Sequence, residues 1–155
     1  MKSWAPAARI LLGLTLLGLA GCRAACPWPA ALLAGPGWKI WQGQAVWRPV
    51  RRMPELAGDV MVAVNTNGEA FVQFSKTVPF AVARLEGEEW RVEFPVEGRV
   101  YCGHRPLPRH FAWLQLPAVV SGGALSDSWR AEGERANWRL ENPRTGETLS
   151  GYLAQ

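Results

Sequence analysis

Three cysteines and two histidines are the side chains of this 155-residue chain best suited to nucleophilic or metal chemistry. Cys22 closes an apolar run, and its thiol is a nucleophile. Cys102 and His104 flank Gly103, and in a strand they would share one face, as two metal ligands require. His110 is the one further candidate ligand nearby, whereas tetrahedral zinc wants four ligands, or three plus water. The competing reading of Cys102-Gly103-His104 is a core thiol beside a surface histidine, and no metal or other cofactor is expected. Hydrolytic chemistry has less to stand on. There is no Gly-x-Ser-x-Gly elbow, and Asp59 and Asp127 are the only aspartates. Glu88-Glu89 sits in a turn-like stretch where charges are usually solvated, and no glycine-rich loop leads from a strand into a helix. The chain therefore reads as a binding or structural protein and not as an enzyme.

The segment ahead of Cys22 has a targeting layout. Lys2 and Arg9 are its only charged side chains, and an apolar run over 10–20 follows. That run has the length of a signal-peptide core and falls short of the ~20 residues that cross a bilayer. It ends in Leu19-Ala20-Gly21-Cys22, which resembles the lipobox of bacterial lipoproteins at all four positions. The resemblance implies cleavage before Cys22, a diacylglyceryl thioether on its sulfur and acylation of its new amine. Two or more such chains anchor a protein stably, at ~0.8 kcal/mol per buried CH₂. Arg23, and not Asp, follows. By the sorting rule of enteric bacteria, that implies the outer membrane, with the domain facing the periplasm. An ordinary secretory signal with a chance cysteine is the alternative.

Export changes the meaning of the remaining residues. Lys2 and Arg9 carry two of the four net positive charges, so the excess left on the exported part is small. Arg51-Arg52 is the longest basic run, a wet strand end or a contact for lipid headgroups. Nucleic acid is not an expected partner. Cys26 and Cys102 remain after lipidation, and in an oxidising compartment they form either a disulfide or two free thiols.

The elements that position these groups are mostly β. Residues 22–37 are rich in Ala and Pro, with Gly35-Pro36-Gly37 at the end, and read as a tether. From 38 to 155 a single domain is expected. Val60, Val62 and Val64 alternate, and Asn67-Gly68 marks a hairpin into the strand over 70–75. Trp90, Val92 and Phe94 alternate with Arg91 and Glu93, as in a strand with one wet face. Trp138 and Leu140 alternate with Asn137, Arg139 and Glu141, and Pro143 to Gly146 turns the chain into a last strand. Segments near 44–50, 80–85, 99–104 and 128–131 bring the count to about nine. One stretch, Pro108 to Leu116, breaks the pattern and reads as a helix between Pro108 and Pro117, apolar on more than one side. The expected fold is mainly β: a curled antiparallel sheet, a half-open β-barrel, with a short helical insertion on its concave side. Curling follows because strands twist and open edges are hazardous.

This layout resembles the LolA/LolB-type outer-membrane lipoprotein family, nearer to LolB. The resemblance rests on Cys22, on Trp38-Lys39-Ile40-Trp41-Gln42-Gly43-Gln44-Ala45 as the opening segment, and on Phe111-Ala112-Trp113-Leu114-Gln115-Leu116-Pro117 before Ser121-Gly122-Gly123. Trp138-Arg139-Leu140-Glu141-Asn142 resembles a late strand of that fold. It implies an unclosed barrel with an apolar cavity that holds lipid or lipoprotein acyl chains, in a monomer. Eight of the nine tryptophans lie after Cys22 and offer the large apolar bodies such a cavity needs. The candidate lining is Val62, Phe74, Trp90, Val92, Phe94, Phe111, Leu114, Trp138 and Leu140. Periodicity does not separate a hollow interior from a packed one, so the same residues equally suit a solid core. A structural or protein-interaction lipoprotein is the alternative that a solid core would favour.

Overall fold

The structure is a computed structural model and describes residues 33–155. The expected signal peptide 1–21, Cys22, Cys26 and most of the tether lie outside the described residues. Nine strands run β1 (Trp38–Arg48), β2 (Leu56–Asn65), β3 (Ala70–Lys76), β4 (Val78–Glu86), β5 (Glu89–Phe94), β6 (Arg99–His104), β7 (Arg130–Glu134), β8 (Asn137–Glu141) and β9 (Thr148–Ala154). They form one sheet in the order β6-β5-β4-β3-β2-β1-β9-β8-β7, antiparallel throughout. Edge strands β6 and β7 do not pair, so the sheet stays open, as the mainly β, half-open reading expects.

Local chemistry explains the hairpins. Between β2 and β3, Gly68 takes φ +90° and donates its N–H to Asn65 O, while Asn67 Oδ1 accepts the Glu69 N–H. The Asn-Gly pair thus makes the turn, with glycine at the left-handed position where a Cβ would be strained. The centre of the sheet needs glycine for a different reason. A Cβ on Gly43 would run into Tyr152 O, and one on Gly151 into Gln44 O. Both sit where β1 meets β9, so the strand backbones approach more closely than any side chain would permit.

Alternation sets the inner face: Val60 and Val62 on β2, Val92 and Phe94 on β5, Trp138 and Leu140 on β8 are all buried. The helical insertion lies against that face, but its boundaries differ from the sequence expectation. A 3-10 turn over Ala112–Leu114 leads into α1 (Leu116–Ser121), and Pro117 opens α1 instead of ending the helical segment. Proline lacks an N–H, and the first turn of a helix is where that N–H has no partner to lose. Gly122 then ends α1 in a left-handed conformation, donating to Ala118 O. α1 packs on β2 and β3, and the 3-10 turn packs on β4 and β5. Trp113, 0% exposed, stacks on Phe74 at 4.9 Å and lies 5.2 Å from Trp47, so it fills the middle of the curl.

Candidate functional site

The nine candidate lining residues divide into three groups. Val62, Phe74, Val92, Leu114, Trp138 and Leu140 are exposed by no more than 2% and belong to one core cluster with Trp113. Trp90 is half-buried, and its Nε1 donates to His104 O at 3.0 Å near the edge of the sheet. Phe94 and Phe111 alone of the nine reach an apolar cleft of about 330 Å³.

That cleft opens at one rim of the curl, where β1 and β5 end and β2, β6 and β9 begin. The register fixes this: Trp47 lies opposite both Leu56 and Leu149, and Phe94 lies opposite Arg99. Trp47, Leu56, Phe80, Phe94, Tyr101 and Phe111 supply its greasy wall. The rings support one another, with Trp47 stacked on Phe94 at 6.0 Å and edge-on to Phe80 at 5.8 Å. Phe111 sits 5.0 Å from Tyr101 and 6.1 Å from Phe94. Met53 and Tyr101 stand at the mouth, 52% and 38% exposed. The wet edge carries His110 and the Arg99–Glu97 ion pair, 3.2 Å long.

At the inner end lies Glu147, a carboxylate only 4% exposed. Trp47 Nε1 and Ala112 N donate to its Oε1, each at 3.0 Å, and Phe111 N donates to Oε2 at 3.2 Å. Burial pushes its pKa above the usual carboxylate value, and these three hydrogen bonds oppose that rise. Glu147 joins three parts of the molecule: β1 through Trp47, the start of the helical segment, and its own turn before β9. Phe111 is held there with φ +77°, a conformation rare for a residue with a side chain. Glu147 is thus a structural clasp beneath an apolar cleft, with both oxygens engaged.

Sequence reasoning missed Glu147, Trp47, Leu56, Phe80 and Tyr101. Trp47 carried a signal, since Ala45 and Trp47 alternate on the inner face of β1. Glu147 carried none, because an acid just after a Thr-Gly turn looks like a solvated charge.

The remaining chemistry-bearing residues are dispersed. Cys102 is engaged in a disulfide, so its thiol is not a metal ligand. The other two cysteines, Cys22 and Cys26, lie outside the described residues. His104 faces Glu89 at 4.0 Å, and His110 packs on Phe111 at 4.3 Å. Among the described residues, no three His, Cys, Asp or Glu side chains come together as a metal site. No helix among them is long and apolar enough to cross a membrane. No protein-family model matches the chain, and no curated protein does either.

Proposed function

We propose that this protein is a lipid-anchored envelope lipoprotein that binds an acyl chain in the rim cleft beneath Met53 and Tyr101. The observation that carries the reading is an open cleft of about 330 Å³ walled mainly by aromatic and aliphatic side chains, with Glu97, Arg99 and His110 at its wet edge and Glu147 at its inner end. That volume falls at the small end of known ligand pockets, ~300–1,000 Å³. It suits part of one chain better than a whole diacyl lipid. The half-open sheet and the Cys22 lipobox agree with a LolB-like role in lipoprotein localisation or lipid transfer at the outer membrane. Relative to the sequence expectation, this moves the binding surface from the middle of the curl to its rim.

A lipidated Cys22 has its sulfur in a thioether and has no thiol left for a disulfide. On this reading the partner of Cys102 is Cys26.

The alternative, a structural or protein-interaction lipoprotein, draws on the packing of Val62, Phe74, Val92, Leu114, Trp138 and Leu140 at 2% exposure or less. Co-purification separates the two. Exported Cys22→Ser protein, isolated without detergent and analysed by mass spectrometry, is expected to carry substoichiometric lipid that Met53→Glu removes. Lipid-free protein that also fails to take up added fatty acid would overturn the acyl-chain reading in favour of the alternative.

A further inference from the structure

A second cleft, of about 490 Å³, lies in the gap that the sheet leaves open. Its walls come from the chain just after edge strand β6 (Arg105 to Arg109), from the chain just before edge strand β7 (Ala124 to Ser128), and from Arg144 in the β8–β9 turn. Its charge is one-sided, with three guanidinium groups, Arg105, Arg109 and Arg144, against the single carboxylate of Asp127. None of these four makes an ion pair within 4.0 Å among the described residues.

The scaffold behind the arginines is built and not incidental. Asn142, 0% exposed, donates its Nδ2 to Arg109 O and accepts at Oδ1 from Arg144 N, 3.0 Å, and Thr145 N, 3.3 Å. One buried amide therefore fixes the backbone at two of the three arginines. Arg105 is held separately, its N–H donating to Glu88 O at 2.7 Å and its Nε to Gly87 O at 3.4 Å. On the facing wall, Gln115, 1% exposed, accepts at Oε1 from Ser126 N and Oγ at 3.1 and 3.2 Å. Guanidinium forks match phosphate oxygens in geometry as well as charge, and with the Ser126 and Ser128 hydroxyls given to Gln115 Oε1 and Arg109 O, the three arginines are what the cleft offers an anion.

We infer that this seam cleft binds a phosphate group, with Arg105, Arg109 and Arg144 as its cationic wall. The phosphate chemistry follows from the cleft alone and does not depend on the acyl-chain reading. The source favoured is a lipid headgroup, and that choice does rest on the proposed anchor. A Cys26–Cys102 bridge would hold the lipidated Cys22 four residues from β6, a reach of roughly 14 Å at full extension. Arg105 follows Cys102 by three residues, so the cleft would face the headgroup layer.

The test uses tail-free probes, so the apolar cleft plays no part in it. Inorganic phosphate and glycerophosphoglycerol, a deacylated lipid headgroup, are each titrated into the full chain carrying Cys22→Ser, followed by calorimetry at low salt. Saturable binding is expected, weakened roughly tenfold by Arg109→Gln and by Arg144→Gln, as loss of a charge-assisted hydrogen bond implies. Both side chains are exposed, so the midpoint of thermal unfolding should stay unchanged in these variants. Glycerophosphoglycerol binding at least as tightly as phosphate supports the headgroup source, and the reverse order supports free phosphate as the ligand. No saturable binding of either probe up to about 20 mM, or variants that bind like the parent, would overturn the site.

Discussion

At the scale of single residues, Glu147 carries the greatest tension. Three N–H groups want an ionised acceptor, whereas burial penalises the charge, and burial outweighs them in setting the pKa above its ordinary value of 4.5. The folded state therefore keeps a proton at pH values where the unfolded chain has released it. The contribution of this group to stability is complete below about pH 4.5 and declines as pH rises through the raised folded value. Replacing it tests both halves of the argument. Glu147→Gln keeps one carbonyl acceptor but sets an NH₂ where an N–H already points. It should cost about 1–3 kcal/mol near neutral pH and remove the decline from the pH profile of urea midpoints. A variant whose profile still falls in that window would assign the slope to another group. None of this was visible in the sequence. The glutamate is buried because residues 146–149 are buried in succession, and Gly146 sits where an added Cβ would meet Arg51 of the β1–β2 connection. Where a loop covers the outside of a strand end, burial stops following alternation, and the period-2 pattern loses its information.

At the scale of elements, the strands were largely legible and their reasons are physical. Val60-Met61-Val62, Trp90-Arg91-Val92 and Trp138-Arg139-Leu140 alternate because one face meets the core and the other meets water, and the register agrees with those faces. The start of β1 was not legible. Trp38 to Gly43 has no clean alternation, since its glycine is demanded by the close approach of β9 and not by a turn. A long-range strand pair of this kind leaves no local trace. The helical insertion is legible as an apolar interruption, but Pro117, which the sequence places at its end, opens α1 after the 3-10 turn. The β1–β9 crossing is where substitution should tell most. Gly151→Val would force a side chain into the backbone of Gln44 and Ala45, and should destabilise the fold by about 3 kcal/mol or more, read as a lower urea midpoint. The same change at Gly68, which has open space around it, strains only the turn.

At the scale of the whole molecule, the described residues form two clefts of opposite character, one at the strand ends and one in the gap of the open sheet. The rim cleft is aromatic and ends on a fully bonded carboxylate, while the seam cleft is cationic and polar. The sequence pointed to a greasy concave surface, and the curl was readable from it. Which greasy residues stay reachable was not, because that depends on where Trp113 fills the curl and where the β1–β2 and β5–β6 connections leave room. Under the proposed lipid anchor, the tether and the fold meet at the Cys102 disulfide. Peptide mapping under non-reducing conditions should join the peptide bearing Cys26 to the one bearing Cys102. A Cys22–Cys102 link would rule out a thioether on Cys22 and, with it, the lipid anchor.

The central claim concerns the rim cleft, and titration of a fluorescent fatty acid into exported Cys22→Ser protein tests it most directly. The account predicts one saturable site with an affinity on the order of micromolar. Met53→Glu and Tyr101→Glu, both at the mouth, should weaken it at least roughly tenfold, while Arg109→Gln leaves it unchanged. An absence of saturable binding, or equal binding by parent and mouth variants, would contradict it.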